Sequence, residues 1–156
     1  MDWRIISIGT LASNPLWNET TTPRTGHTTT TTVKGDDGVL LIDPSLPPQI
    51  INARLQERWG IDLSKITHVF LTSFDPDRRR TLGGLSHADW FMSEPEIQSA
   101  AIAISEEIQK SEGDDELTTI LEQHRDLLAE FHVAPDSLFS GVDLFPVPGY
   151  TPGSCG

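Results

Sequence analysis

Asp75 and Asp77 stand two positions apart, with Pro76 between them, directly after the apolar run ITHVFL. Two carboxylates that close at the end of a strand repel one another unless a cation sits between them. A divalent metal ion can do this, because carboxylate oxygens suit hard cations. A guanidinium can also do it, through charge-assisted hydrogen bonds. Three arginines, Arg78, Arg79 and Arg80, follow at once. Either Arg78 pairs with Asp75 or Asp77 in place of a metal, or the three arginines form a solvated basic turn.

The other reactive residue types are scattered. His27 precedes a threonine run and His68 begins an apolar run, positions that serve packing or solvation. His124 falls on an apolar helical stripe and reads as a core or half-buried residue. His87 and His132 have no partner spacing, and Cys155, the single cysteine, has no catalytic partner and reads as inert. Gly83 and Gly84 suit a tight turn at the head of the next helix, with no phosphate-loop pattern around them.

The elements that must position these residues follow from periodicity and punctuation. DWRIISIG reads as a strand, and residues 11–26, rich in Asn, Pro and Thr, read as a loop. HTTTTTV, KGDDG and VLLID give a strand, a turn and a strand covered on both faces. Leu46, Ile50, Ile51, Leu55 and Trp59 recur at helical spacing, and Gly60 ends that helix. THVFLTS and DWFMS are further strands. Ser93 to Glu96 has the form of a capping box with Pro95 in the first turn, ahead of the stripe Ile97, Ala100, Ala101, Ile104 and Ile108. SEGDD breaks that helix and caps the next, whose stripe is Leu117, Ile120, Leu121, His124, Leu128 and Phe131. VDLFPVPG reads as a final strand. The order makes a single α/β or α+β layered domain over residues 1–156.

Composition narrows the function classes. The 156 residues carry a formal net charge of −12, which opposes binding to nucleic acid or an anionic membrane. No apolar run approaches the roughly 18 residues of a membrane span. The expectation is an acidic cytoplasmic protein.

Three segments together resemble the metallo-β-lactamase superfamily. GVLLIDPSL resembles its strand ending in aspartate, here Asp43. HVFLTSFDPDRRRTLGGL is similar to its His-x-His-x-Asp-His loop and Gly-Gly turn. VPGYTPGSCG resembles its Pro-Gly-His-Thr-Pro-Gly segment, and about 72 residues separate the second and third motifs. The resemblance runs from about Trp3 to Gly156. It implies the N-terminal half of an αβ/βα sandwich, incomplete at the C-terminus, and an activity class of metal-assisted hydrolysis. In that chemistry bound metal lowers the pKa of water from about 15.7 towards about 7.

Carried over position by position, the motif histidines fall on Ser73, Asp75, Arg78 and Tyr150, and only the aspartate, Asp77, matches. Ser73 is a poor ligand, and Arg78 offers no lone pair at all. Asp75 and Asp77 remain possible metal ligands, and Asp43, Gly83 and Gly84 brace the site. The resemblance therefore implies a pseudoenzyme with a degenerate metal site and no cofactor, or zinc or another divalent transition metal if any. A homo-oligomer or a partner chain would complete the sandwich. Two alternatives stay open. One is residual metal-dependent hydrolysis on Asp75 and Asp77. The other is a magnesium-dependent phosphatase with Asp75 as nucleophile, since Asp75-Pro76-Asp77 also resembles the Asp-x-Asp loop of haloacid-dehalogenase-like phosphatases.

Overall fold

A computed structural model describes residues 1–111, 113–139 and 141–156. Its centre is a six-stranded sheet in sequential order: β1 (Asp2–Ser7), β2 (Thr30–Gly35), β3 (Gly38–Ile42), β4 (His68–Phe70), β5 (Asp89–Met92) and β6 (His132–Val133). β1, β2 and β3 pair antiparallel, β2 and β3 through a tight hairpin and β1 with β2 across the long connection between Ser7 and Thr30. From β3 onward the pairing is parallel, since longer connections return each strand to the same end.

Alternation along the buried strands sends side chains to two cores. Val39, Leu41, Val69, Leu71 and Met92 face the helices, while Leu40 and Phe70 face the opposite side. On the helical side lie α1 (Pro48–Trp59), α2 (Glu94–Lys110) and α3 (Asp115–Ala129). Ile51 and Leu55 of α1, Ile104 of α2 and Leu128 of α3 are buried against the sheet. On the other side a short hairpin of β7 (Ser137–Phe139) and β8 (Val142–Asp143), with the segment to Gly156, packs Phe139 and Cys155 against Val33, Leu40 and Phe70.

The expected helices form, with differences that packing explains. α1 ends on Gly60, whose φ of 67° suits a residue without a Cβ. Ile50 is exposed, because it and Ile51 are adjacent and cannot share a helix face. On α2, Ala101 points to solvent. On α3, Leu117 and Ile120 are exposed, since only its C-terminal end, Leu127 and Leu128, reaches the core. Asp114 caps α3 by accepting a hydrogen bond from the Leu117 amide, whereas Glu112 of SEGDD lies outside the described residues. The double glycine forms a one-turn 3-10 helix, Leu82–Gly84, and leads into β5 rather than into an α-helix. VDLFPVPG gives only the short β8, because Pro146 and Pro148 lack the N–H a ladder needs. No helix among the described residues is long and apolar enough to cross a membrane.

The C-terminal segment is locked to the N-terminus of α2. The Ser93 hydroxyl donates to the Gly153 carbonyl at 2.8 Å, and the Cys155 amide donates to the Thr72 carbonyl at 3.2 Å. A Cβ on Gly153 would lie 2.2 Å from the Glu96 amide nitrogen, so no side chain fits there. Gly153→Ala is therefore expected to lift residues 150–156 off the domain and expose the buried Cys155 thiol. Labelling by a thiol reagent should accelerate at least about tenfold relative to the parent; an unchanged rate would refute the close-approach argument.

Candidate functional site

The site is assembled from the C-terminal ends of β3 and β4 and the loop after β4. Asp43 follows β3 in the left-handed conformation, φ 49°, which aspartate tolerates better than most residues. That turn directs its carboxylate across to the end of β4. One oxygen accepts the Thr72 amide at 2.9 Å, and the other accepts the Thr72 hydroxyl at 2.7 Å and Arg78 Nη1 at 2.6 Å. Arg78 Nη1 also donates to Thr72 Oγ1 at 2.8 Å. Asp43 is 4% exposed. Burial pushes its carboxyl above the usual 3.8, against the opposing pull of the Thr72 donors and the Arg78 charge.

The loop after β4 turns sharply at the 3-10 helix Pro76–Arg78. Asp75 caps this turn by accepting the Asp77 amide at 2.8 Å, and its other oxygen accepts the Tyr150 hydroxyl. That bond holds the Tyr150 phenol above its ordinary pKa of 10.0. The Arg78 guanidinium carbon lies 5.3 Å from the centre of the Tyr150 ring. The turn also decides which arginine meets which acid. Arg78 reaches back to Asp43 rather than to Asp75 or Asp77. Arg80, three positions on from Asp77, takes the pairing with Asp77 and donates to the Gly26 carbonyl at 2.6 Å. The arginines are thus not a uniformly solvated turn. Of the three side chains, that of Arg79 alone makes no hydrogen bond or ion pair among the described residues; its guanidinium carbon sits 4.2 Å from the Phe74 ring centre.

The structure brings Asp43, Arg78, Tyr150 and Asp75 into one connected group, with Asp77 at its margin through Arg80. Ser73 is buried nearby in sequence, and its hydroxyl has no partner among the described residues. Four histidines stay outside: His27 contacts the Ile8 carbonyl, His68 stacks on Phe91 and meets Phe139 edge-on, His87 contacts the Leu63 carbonyl and His132 lies against Phe91. His124 is half-buried on α3 and lines a cleft beside Asp75 and Tyr150. Cys155 is buried, its thiol raised by burial and donated to the Phe145 carbonyl.

Sequence reasoning missed Glu96. The capping box forms only in half: Ser93 Oγ accepts the Glu96 amide at 3.4 Å. The Glu96 carboxylate, instead of reaching back to Ser93, accepts the Phe74 amide at 2.8 Å and the Thr151 hydroxyl at 2.6 Å. It is 2% exposed and holds the site loop and the C-terminal segment together. No local signal distinguishes it from an ordinary capping glutamate, because its two shorter hydrogen bonds, from Phe74 and Thr151, come from residues distant in sequence.

The residues present do not fit a two-metal centre. Among the described residues no group of three or more His, Cys, Asp or Glu side chains converges. The guanidinium of Arg78 has no lone pair to offer, and the Asp75 oxygens already accept hydrogen bonds. The group can neutralise negative charge and position a loop.

Residues 23–156 match the family model described as the metallo-β-lactamase superfamily. No curated protein matches the chain. Among solved structures, a Thermotoga maritima protein assigned to the metallo-β-lactamases is similar at TM-score 0.67 and 16% identity, over 99% of this chain and 70% of that one. The dizinc quorum-quenching lactonase AidC is similar at TM-score 0.59 and 20% identity, over 81% of this chain and 50% of its own. The hydrolase AbOPH of the β-lactamase superfamily gives 0.56 and 17%, over 81% and 50%. The chain spans about half the length of the latter two. At these identities the likeness establishes a shared fold.

Arg78→Ala leaves Asp43 buried without its counter-charge. Unfolding in urea at neutral pH should show a loss of about 2–4 kcal/mol. The sign of the pH dependence follows from the raised Asp43 carboxyl. The native state keeps its proton more readily than the unfolded chain, so its contribution is complete below about 3.8 and is lost as pH rises through the folded value. A protonated Asp43 needs no guanidinium, so the loss caused by Arg78→Ala should shrink as pH falls through that value. An equal loss at all pH values would mean the charge pair contributes nothing.

Proposed function

The chain belongs to the metallo-β-lactamase superfamily, and we propose that it is a non-catalytic member, in which the Arg78 guanidinium supplies the positive charge that a metal centre supplies in hydrolytic relatives. One observation carries this reading: Arg78, at a position where the family's motif has a histidine, pairs with buried Asp43 and lies against Tyr150, which stands at another. Metal-assisted hydrolysis needs a cation with an open coordination position to hold and acidify water. A guanidinium donates hydrogen bonds and neutralises charge, but it cannot ligate water. If zinc or another divalent metal bound here, Asp75 and Asp77 would be its ligands, and it would have to displace Tyr150 from Asp75 and Arg80 from Asp77. A phosphatase with Asp75 as nucleophile requires the same release of Asp75 from Tyr150.

The protein's role is then interaction or regulation rather than turnover. Trp3, Ile5, Phe145 and Val147 are exposed large apolar side chains, and they favour coverage by a second copy or a partner chain. The single cysteine fits a reducing, cytoplasmic compartment. Elemental analysis of the purified protein after dialysis is expected to find zinc, iron and manganese well below one equivalent. One or more equivalents of any of them would overturn the non-catalytic reading. Light scattering at micromolar concentration separately tests the covered surface, which a monomer would contradict.

A further inference from the structure

A cleft of about 600 Å3 opens between the Phe74–Arg79 loop, α2, α3 and residues 150–152. The volume lies within the range of small-molecule sites, about 300–1,000 Å3. Its wall along α2 is apolar, formed by Ala100, Ala103 and Ile104. Its polar groups divide into committed and uncommitted ones. Glu96 accepts from the Phe74 amide and Thr151, and Asp75 accepts from the Asp77 amide and Tyr150. Arg79 and His124 also line the cleft, and neither side chain has a hydrogen-bond partner among the described residues. Arg79 is half-buried; its Nε, like that of Arg78, is buried and unpaired, but unlike Arg78 it has no ion pair through its other nitrogens among the described residues.

A half-buried guanidinium without a hydrogen-bonded anion is destabilising in a free protein, and its neighbours on either side show the alternative. Arg78 and Arg80 each find a carboxylate. Phe74 lies against Arg79, with 4.2 Å between its guanidinium carbon and the ring centre, and the Asp75 charge acts on it through space without a hydrogen bond. A planar two-oxygen anion matches the N–H edge of a guanidinium in geometry and charge. The apolar wall selects for a ligand that also carries hydrocarbon.

We propose that this cleft binds a small organic carboxylate bearing an apolar chain, with the carboxylate forked on Arg79 and the chain lying along Ala100, Ala103 and Ile104. His124 contributes a second hydrogen bond to the carboxylate or to a polar group beside it. The site does not depend on the absence of hydrolysis: it uses neither Asp77 nor Arg78, and it would stand if metal were found elsewhere in the loop.

The test is an NMR titration of the isotopically labelled protein with sodium hexanoate, and with 1-hexanol as a neutral probe of the same length. Hexanoate is expected to give saturable shifts at the Arg79 side chain and the Ala100 and Ala103 amides, about tenfold or more tighter than hexanol. Arg79→Gln should weaken hexanoate by a similar factor and leave hexanol unchanged. Thermal unfolding supplies the second readout: without ligand, Arg79→Met should melt at the same temperature as the parent or higher, as expected when an unpaired charge kept for binding is removed. Equal affinity for hexanoate and hexanol, hexanoate binding unchanged in Arg79→Gln, or no saturable shift at these residues would each overturn the proposal. So would a marked fall in melting temperature for Arg79→Met, which would make Arg79 a structural residue through its stacking on Phe74.

Discussion

A carboxylate with almost no access to water, Asp43, governs the geometry of the whole site. Burial disfavours its charge, so it has to be surrounded by donors. The Thr72 amide and hydroxyl and the Arg78 guanidinium provide them, and each donor is thereby fixed in place. Thr72 ties the end of β4 to the end of β3 beyond their last ladder pair, Ile42 with Phe70. Arg78 pulls the following loop back over the strand ends. The left-handed backbone at Asp43 makes the reach possible, and the strain it carries is repaid in three hydrogen bonds.

Glu96 does the same from the other side of the loop. It too is buried, and it too is satisfied by groups distant in sequence, the Phe74 amide and Thr151. Residues 72–80 are thus suspended between two buried carboxylates, one at a strand end and one in the first turn of α2. This suspension partitions three consecutive arginines into three environments. Arg78 faces inward to Asp43, Arg80 faces back along the turn to Asp77, and Arg79 lies on Phe74. A run of like charges in sequence has become an internal ion pair, a half-exposed ion pair and a cation without a hydrogen-bonded anion among the described residues.

What the sequence made legible was whatever depends on local order. The hairpin at KGDDG, the stop at Gly60, the caps at Ser93 and Asp114 and the continuously apolar strand VLLID all rest on neighbours within a few positions, and all form. The family motif was legible in the same way, as residue types at fixed spacing. Pairing between distant residues was not. Arg78 stands one position from Asp77 and three from Asp75, and nothing in that spacing reveals that its partner lies 35 positions upstream. Glu96 carries a local explanation, the capping box, that is half correct and hides its tertiary role. Exposure along the helices failed for a related reason. Periodicity identifies an apolar face, but how far that face runs past the sheet edge, as at Leu117 and Ile120, is a property of the packing.

An arginine can inherit a metal's electrostatic task without inheriting its chemistry. Two things are asked of a cation among carboxylates: to offset their repulsion, and, in hydrolysis, to hold water and lower its pKa. The first depends on charge and donor geometry, and Arg78 meets it for one buried carboxylate, Asp43, with hydrogen bonds of 2.6 Å to Asp43 and 2.8 Å to Thr72. The second depends on an empty orbital facing solvent, which a guanidinium does not have. On the reading proposed here, that separation is why the fold persists around Arg78 after the ligand set has gone. It also frees the neighbouring cleft, with its remaining cation at Arg79, to recognise a ligand instead of transforming one.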